Sequence, residues 1–287
     1  RWRMDFIMKT LRYRNNNDVK PGILDKDGNI RDISSVVDDW DNNTLQTEKL
    51  NSIKSMNLSD LPKVEKIDSL APPISKTNIG KFICIGLNYS DHAAEAGMEV
   101  PKEPIIFMKA TSSVCGPNDD IIIPKNSTKS DWEVELGIII GKETKYINEN
   151  QSQDHIAGYC VVNDLSEREF QLEHQGQWVK GKSCDTFGPI GPYIVTTDEI
   201  KDPQNLGMWL EVNDQRMQEG STSTMIYGVN FLISYLSQFM SLQPGDIIST
   251  GTPPGVGMGK KPPIYLKTGD KIKLGIEGLG EQNQTTI

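Results

Sequence analysis

The stretch SDWEVELGIII, residues 130–140, decides the fold, because it is an apolar strand that carries two glutamates. Successive side chains of a strand point to opposite faces of the sheet. One face therefore carries Glu133 and Glu135, and the other carries only apolar side chains, from Trp132 to Ile140. Taken alone, this alternation is typical of a half-exposed strand with an acidic outer face.

Short apolar runs recur on both sides of this strand, from Lys81 onward. Examples are FICIGLNY, PIIFMKA, IAGYCVVND, LGMWLEVND and KIKLGIEG, and Gly, Pro and Asn separate them. Such runs predict strands. Helical patterns are fewer and fall in residues 152–158, 166–174 and 229–240. Because the regular strand–helix alternation of a Rossmann or TIM fold is missing, the sequence predicts an α+β fold dominated by β-strands.

The N-terminal part has a different character. In KPGILDKDGNIRDIS, an Asp-Gly turn between two runs predicts a β-hairpin. Asp25, Asp27 and Asn29 resemble the start of a calcium loop, but Gly28 follows Asp27 directly, and this breaks the EF-hand spacing. The hairpin is therefore the favoured interpretation.

The division of the chain follows from this change in character. Residues 37–68 are polar and predicted to be partly helical, and the Pro pair at positions 72 and 73 indicates a linker or domain entry. We expect a small N-terminal domain over residues 1–72 and a catalytic domain over residues 73–287. Residues 1–7 lack the apolar region of a signal peptide and are interpreted as a tag remnant or leader, with Met8 as the natural start.

Composition narrows the classes of partner. The chain has 287 residues and a formal net charge of −9, and an acidic surface does not attract nucleic acid. No apolar run approaches the roughly 20 residues of a membrane span. The four cysteines are scattered without a C-x-x-C pair, and their apolar neighbours indicate free buried thiols in the cytoplasm rather than a disulfide or a zinc site.

A third carboxylate follows a second apolar run. In GYCVVNDLSERE, Asp164 ends the run just before a predicted helix, where Asp164 or Ser166 could also serve as an N-cap. Glu133, Glu135 and Asp164 can converge only if they are well solvated or if a cation lies among them. Ligation by oxygen alone favours Mg²⁺, Mn²⁺ or Ca²⁺ over zinc.

Six motifs occur in the same order as in a known family. They are FICIGLNYSDHAAEAG, FMKATSSVCGPND, DWEVELGIIIG, GYCVVNDLSEREFQ, KGKSCDTFGPIGP and TGTPPGVGMG. Over about residues 80–280 the chain resembles the fumarylacetoacetate hydrolase family. The resemblance implies a mixed β-sandwich roll with flanking helices, preceded by a small N-terminal α/β domain, and a homodimer. It also implies that Glu133, Glu135 and Asp164 ligate Mg²⁺ or Mn²⁺, with Ca²⁺ as a substitute in crystals.

The motif NYSDHAAEAG contains a possible acid–base pair. His92 and Glu95 lie three residues apart and share one face of a short helix predicted between Ser90 and Gly97. By pattern alone they are a surface pair. The resemblance implies instead that this helix is a lid, in which Glu95 orients His92 and His92 deprotonates a water molecule. The other two histidines, at positions 155 and 174, fall in no family motif and are interpreted as surface residues.

The resemblance also implies further site residues. Lys182 is expected to project into the metal site, to balance the carboxylates there and to contact the substrate, with Lys109 in a supporting role. The Gly-rich run TGTPPGVGMGK fails the spacing of a phosphate loop and is predicted to be a Gly/Pro turn. The residues implied to bind substrate are Tyr89, Arg168, Gln171, Gly251 and Thr252.

The substrates of this family share a 2-oxo acid or its enol. The resemblance therefore implies a small-molecule 2-oxo acid substrate and a metal-dependent hydrolase that cleaves the C3–C4 bond of a 2,4-dioxo acid, of the acylpyruvate or 2,4-diketo-3-deoxy sugar acid type, and releases pyruvate. Three alternatives remain. They are a ureidoglycolate lyase, a tautomerase or decarboxylase acting on oxaloacetate or a related dicarboxylate, and a non-catalytic metal-binding protein.

Overall fold

A computed structural model describes residues 8–287, so the interpretation of residues 1–7 lies outside the described part of the chain. Within it there are seventeen strands: β1 Lys9–Asn15, β2 Asp18–Leu24, β3 Ile30–Asp32, β4 Ser69–Ala71, β5 Phe82–Gly86, β6 Ile105–Lys109, β7 Val114–Cys115, β8 Ser130–Asp131, β9 Val134–Ile140, β10 Ile156–Asn163, β11 Ser166–Glu167, β12 Gly188–Val195, β13 Gly207–Val212, β14 Gln215–Ser221, β15 Ile247–Ser249, β16 Lys271–Ile276 and β17 Gly280–Thr285.

The helices of the described residues are short. The α-helices are α1 Thr47–Ile53, α2 Ser90–Glu95, α3 Arg168–Leu172, α4 Val179–Lys182 and α5 Val229–Leu236. Seven 3₁₀ segments add to them: Leu58–Asp60, Lys76–Asn78, Thr111–Ser113, Glu149–His155, Thr197–Glu199, Thr222–Thr224 and Gly257–Gly259. No helix in residues 8–287 is long and apolar enough to cross a bilayer.

The strands form two main sheets that pack face to face. The larger sheet has the order β3-β2-β1-β12-β10-β9-β15-β5-β6, with β4 on β1 and β7 on β12, and the smaller has the order β14-β13-β16-β17. One face of β9, from Val134 to Ile140, packs in the same core as Leu210 of β13 and Leu274 of β16. The strand-dominated α+β fold predicted from the sequence is confirmed.

Strand β9 is buried on both faces. Its opposite face contributes Ile139 to a second core, which also contains Trp40, Leu45 and Leu50 of the N-terminal part. The acidic side of β9 is therefore not a solvated outer face, and the interpretation of this stretch as a half-exposed strand is wrong.

The N-terminal strands continue the large sheet rather than forming a separate one. β1 pairs antiparallel with β12, and β2 pairs with β3 across the turn that begins at Asp25, which confirms the predicted hairpin. The domain boundary near residue 72 stays a prediction.

Two local predictions are wrong. The helix expected at 152–158 is a 3₁₀ segment, Glu149–His155, which ends where β10 begins at Ile156 and pairs with β9. His155 is not a surface residue, because it is only 8% exposed and a ring nitrogen lies 2.9 Å from the Thr144 hydroxyl. His174 is exposed, as expected, and all four cysteines are free, two of them buried and two half-buried.

Candidate functional site

Three carboxylates meet where β9 and β10 lie side by side. The antiparallel register sets Glu135 opposite Val162, and the Asp164 N–H donates to the Glu133 carbonyl oxygen at 2.9 Å. One side-chain oxygen from each of Glu133, Glu135 and Asp164 lies within 4.8 Å of the others. Glu133 is 7% exposed, Glu135 1% and Asp164 not at all. The structure thus brings together the three residues that the sequence suggested as metal ligands.

Buried cations hold two of these carboxylates. The Lys182 ammonium lies 2.9 Å from Asp164 Oδ2 and 3.2 Å from Glu133 Oε2, and the Lys109 ammonium donates to Asp164 Oδ1. Burial acts to raise the pKa of Asp164, but the charges of Lys109 and Lys182 outweigh it and hold that pKa well below its usual range. Burial likewise acts to lower the pKa of Lys182, but Asp164 and Glu133 raise it, so this ammonium stays charged.

Glu135 lacks such a partner. Its Oε1 accepts hydrogen bonds from the Ser249 hydroxyl at 2.7 Å and from the Gly251 N–H at 2.8 Å, and no lysine or arginine within residues 8–287 forms an ion pair with it. Burial first, and then repulsion by Asp164 and Glu133, raise the pKa of Glu135 well above its ordinary value. A further positive charge at this point would stabilise the ionised carboxylate.

The donor set therefore fits a divalent cation. Four buried carboxylates face three buried cations; the carboxylates are Asp131, Glu133, Glu135 and Asp164, and the cations are Lys109, Arg168 and Lys182. One negative charge is therefore left without a cationic partner, and it lies where three carboxylate oxygens converge. Oxygen donors alone suit Mg²⁺, Mn²⁺ or Ca²⁺.

Asp131 is a buried residue beside the site that the sequence analysis did not single out. Its Oδ1 accepts from the Gly257 N–H at 2.7 Å, and its Oδ2 accepts from the Met258 N–H and from Arg168 Nε, both at 2.9 Å. Arg168 Nη2 in turn donates to Glu133 Oε1 at 2.9 Å. Asp131 thus joins the Gly-rich loop to the carboxylate cluster, and the only signal in the sequence is an acidic residue directly before a buried tryptophan.

The Gly-rich loop needs its glycines for this approach. A Cβ on Gly257 would lie 1.9 Å from the Ile264 carbonyl oxygen and 2.9 Å from Asp131 Oδ1. A Cβ on Gly255, whose φ is +110°, would lie 1.9 Å from the Met217 carbonyl oxygen. Any side chain at either position would push the loop away from its partners.

Helix α2 carries the predicted acid–base pair above the carboxylates. Leu87, with a φ of 51°, turns the chain out of β5, and Gly97, with a φ of 64°, follows the end of α2. His92 Nδ1 lies 3.1 Å from Glu95 Oε2, and the Gly255 N–H donates to Glu95 Oε1 at 3.1 Å. A hydrogen bond to the Gly-rich loop therefore fixes the glutamate that orients the imidazole.

The pair and two of the three carboxylates line one cavity of about 600 Å³. His92, Glu95, Glu133, Glu135 and Lys182 all contribute to its wall. Three of the predicted substrate-binding residues line it as well: Arg168, Gln171 and Thr252. A larger cleft of about 730 Å³ between residues 42–51 and 141–143 contains none of the predicted site residues, so the chemistry points to the smaller cavity.

The other two predicted substrate-binding residues lie behind this wall. Tyr89 is fully buried, and its hydroxyl donates to Met208 Sδ at 3.2 Å. Gly251 does not line the cavity, and its N–H is used by Glu135. The Thr252 hydroxyl donates to the Val134 carbonyl oxygen at 2.9 Å, so it supports β9.

Comparisons with known proteins agree with this geometry. Residues 81–287 match the family model described as "Fumarylacetoacetate (FAA) hydrolase C-terminal". A protein of Burkholderia multivorans that carries the name "Putative hydrolase" is 58% identical over 280 residues, which are 97% of this chain and 99% of that protein.

Solved structures are similar over almost the whole chain. Fumarylacetoacetate hydrolase from Exiguobacterium antarcticum has a TM-score of 0.86 and 33% identity, with 97% of this chain and 99% of that one covered. Maleylpyruvate hydrolase from Sphingobium sp. SYK-6, solved with manganese(II) ion and pyruvate, has a TM-score of 0.80 and 28% identity, with 98% and 99% covered.

Proposed function

Because this chain belongs to the fumarylacetoacetate hydrolase family, whose solved members include hydrolases and isomerases, we propose that it hydrolyses the C3–C4 bond of a 2,4-dioxo acid and releases pyruvate. The substrate class is an acylpyruvate or a 2,4-diketo-3-deoxy sugar acid. One observation carries the proposal: the His92–Glu95 pair lines the same cavity as Glu133 and Glu135, two members of the cluster of three carboxylates. The pair supplies the base for water that hydrolysis requires.

Glu133, Glu135 and Asp164 would hold Mg²⁺ or Mn²⁺. When bound, such an ion polarises the oxygens of the 2-oxo acid and stabilises the negative charge that develops as the C–C bond breaks. The similar maleylpyruvate hydrolase, which was solved with manganese(II) and pyruvate, supports both the metal and the product.

His92 acts as the general base. A proton on Nδ1 hydrogen-bonds to Glu95, which leaves the lone pair of Nε2 free to take a proton from water. The hydroxide attacks the C4 carbonyl carbon, the C3–C4 bond breaks, and its electron pair stays on C3 as the enolate of pyruvate. The imidazolium returns the proton to C3, so that the products are pyruvate and a carboxylic acid.

Lys182 is the cation nearest to the developing charge. Its ammonium contacts Glu133 and Asp164 and lines the cavity, so it can donate a hydrogen bond to a substrate oxygen without leaving the cluster. Arg168 has a positioning role instead, because its guanidinium already bonds to Asp131, Glu133 and Gln171.

A substrate panel tests the proposal. We expect pyruvate release from 2,4-dioxo acids in the presence of Mg²⁺ or Mn²⁺, measured by a coupled lactate dehydrogenase assay, and loss of that release with EDTA. Urea and glyoxylate formed from ureidoglycolate would show a lyase, and a change in enol absorbance without pyruvate would show a tautomerase. A folded, metal-loaded protein inert to the whole panel would show a non-catalytic metal-binding protein.

We also propose that the protein forms a homodimer in the cytoplasm. The support for the dimer is the family resemblance, and light scattering in solution tests it, with a monomer as the contrary result. The support for the location is the four free cysteines, since thiols persist in a reducing compartment. Cell fractionation tests this, and recovery in a secreted fraction would contradict it.

A further inference from the structure

The cavity has an apolar wall that the proposed chemistry does not use. It consists of Ile105, Phe107, Leu172 and Trp178, which line the cavity together and are named the apolar wall below. The wall starts at the carboxylate cluster, because the Lys182 ammonium lies 4.8 Å from the centre of the Phe107 ring. The wall is therefore within reach of the part of a substrate that extends beyond its 2-oxo acid.

The aromatic part of the wall is continuous. The Phe107 and Trp178 rings meet edge to face with their centres 5.3 Å apart. Trp178 packs in turn against Gly86, where an added Cβ would lie 2.8 Å from indole Cζ3. Gly86 pairs with Ile105 between β5 and β6, so the sheet edge fixes the position of the wall.

Arg168 and Thr252, two polar residues of the cavity that could bind hydroxyls, are already in use, and Gln171 offers only its amide N–H donors because its Oε1 accepts from Arg168. Arg168 bonds to Asp131 and Glu133, and the Thr252 hydroxyl bonds to the Val134 carbonyl and accepts from Gln218. A hydroxyl that leaves water without a new partner opposes binding, whereas a methylene buried against aromatic rings favours it.

Two lysines offer the competing interpretation. Lys260 and Lys261 line the cavity on the loop beside Glu95. The Lys260 ammonium, however, points to the Met217 carbonyl oxygen at 3.4 Å, and Lys261 is exposed, so its charge is solvated. A carboxylate at the far end of a substrate would gain little from an exposed lysine.

We propose that the acyl group of the substrate is apolar, an alkyl or aryl chain bound against the apolar wall, rather than a polyhydroxylated sugar chain or a second carboxylate. This rests on the proposed function and selects one branch of its substrate class. Trp178 and Leu172 determine the specificity for this acyl group.

Matched 2,4-dioxo acids test the substrate. Burial of one methylene contributes about 0.8 kcal/mol, or about fourfold in affinity. Because the wall is partly open, we expect kcat/KM for 2,4-dioxooctanoate to exceed that for 2,4-dioxopentanoate by about tenfold. A dihydroxylated analogue and a carboxylate-terminated analogue of the octanoate chain should each be about tenfold poorer than 2,4-dioxooctanoate. An equal or better rate with either analogue would overturn the proposal.

Variants of the wall test the residues. Trp178→Ala should lower kcat/KM for 2,4-dioxooctanoate about tenfold and leave 2,4-dioxopentanoate within about twofold. Leu172→Ser should lower kcat/KM for 2,4-dioxooctanoate about threefold and leave that for 2,4-dioxopentanoate unchanged. Because Leu172 is 42% exposed, this variant tests the wall even if Trp178→Ala fails to fold. Phe239→Ala, an exposed aromatic residue that does not line the cavity, is the control. An equal loss for both substrates would contradict a role in specificity.

A binding measurement separates this inference from the proposed function. The non-cleavable 2-oxooctanoate should bind to the Mn²⁺-loaded protein about tenfold more tightly than pyruvate, by calorimetry, and Trp178→Ala should remove the difference. If no dioxo acid is cleaved but this preference holds, the hydrolase is contradicted and the apolar subsite stands. If dioxo acids are cleaved and the preference is missing, only the subsite is contradicted.

Discussion

The carboxylate cluster and helix α2 both contribute to the wall of the cavity, and they are held very differently. In the cluster, every acidic side chain is buried and has at least two protein donors, and buried ammonium groups lock Asp164 in place. On α2, the side chains of His92 and Glu95 are 14% and 25% exposed, and Gly255 supplies the backbone N–H that fixes Glu95. The cluster is thus buried and held by charged partners, whereas the His92–Glu95 pair is more exposed and is tied to the Gly-rich loop by one backbone N–H.

Glu135→Gln is expected to give the largest effect. The substitution removes the one acidic side chain of the cluster that has no cationic partner, so Mn²⁺ should bind at least about 100-fold more weakly and pyruvate release should stop. Without metal, the variant should be as stable as the parent protein or more so, because a buried charge repelled by Asp164 and Glu133 is gone.

Two measurements check this. Mn²⁺ at 100 times the Kd of the parent should raise the free energy of unfolding of the parent by about 2.7 kcal/mol and that of the variant by no more than about 0.4 kcal/mol. Glu143→Gln, at an exposed glutamate, should behave as the parent. An unchanged Mn²⁺ titration curve for Glu135→Gln would mean that the ion binds elsewhere.

His92→Ala should separate chemistry from metal binding. Loss of a general base lowers kcat by about 10²–10⁴-fold, while the Kd for Mn²⁺ should stay within about twofold because the cluster is untouched. His174→Ala, at an exposed histidine that does not line the cavity, is the matched control. Normal hydrolysis by His92→Ala would mean that His92 is not the general base. The comparison between a metal-binding cluster and a separate acid–base pair would then no longer hold.

Asp131→Asn should affect both regions, because Asp131 bonds to Arg168 on one side and to the Gly-rich loop on the other. The free energy of unfolding should fall by about 3 kcal/mol, since the Arg168 charge is left partly unpaired. The affinity for Mn²⁺ and kcat should each fall about tenfold, the first through Glu133 and the second through the loop that fixes Glu95. Asp120→Asn, at an exposed aspartate, is the control. A fall in only the Mn²⁺ affinity or only kcat would show that the carboxylate cluster and helix α2 are independent of each other.

Alternation predicted that Glu133 and Glu135 share one face of a strand, whereas their convergence with Asp164 was implied only by the family resemblance, and the strand register now explains it. Glu133 and Glu135 share a face by strand geometry, and antiparallel pairing of β9 with β10 brings Asp164 to Glu133. The hairpin at Asp25 was equally readable, because an Asp-Gly turn specifies its own strand pairing. In these cases a local pattern and a neighbouring strand determine the contact.

The misses come from contacts that no local pattern encodes. The sequence analysis did not single out Asp131, which meets Gly257 across 126 residues of sequence. His155 was assigned to the surface as a polar residue, but the Thr144 hydroxyl lets it be buried. At Ile156, pairing with β9 overrides the helical pattern, since tertiary contacts outweigh intrinsic preference.

Asp25 is a buried aspartate outside the carboxylate cluster and serves as a comparison for it. Substitution of Asp25 is expected to give the smallest effect. Asp25 is 8% exposed, and burial acts to raise its pKa, but hydrogen bonds from Asn29, Arg31 and the Asp27 N–H lower it from 3.8 to about 2. The depressed pKa means that the ionised form stabilises the fold at any pH above about 4 and that this contribution is lost as the pH falls through 2. Asp25→Asn should therefore reduce the free energy of unfolding by about 2 kcal/mol at pH 7 and leave Mn²⁺ affinity and kcat unchanged.

The pH dependence distinguishes this turn from the cluster. The stability difference between the parent and Asp25→Asn, measured by urea denaturation, should shrink from about 2 kcal/mol above pH 4 to near zero at pH 2. Asp27→Asn, at the exposed neighbour, should show no such difference. A gap that stays constant with pH would mean that Asp25 acts by shape rather than by charge. Burial acts to raise the pKa of Glu135 as well, but there the neighbours Asp164 and Glu133 raise it further, whereas the hydrogen bonds to Asp25 more than offset its burial. The partners of a buried acid therefore decide whether it stabilises the fold by itself or requires a metal ion.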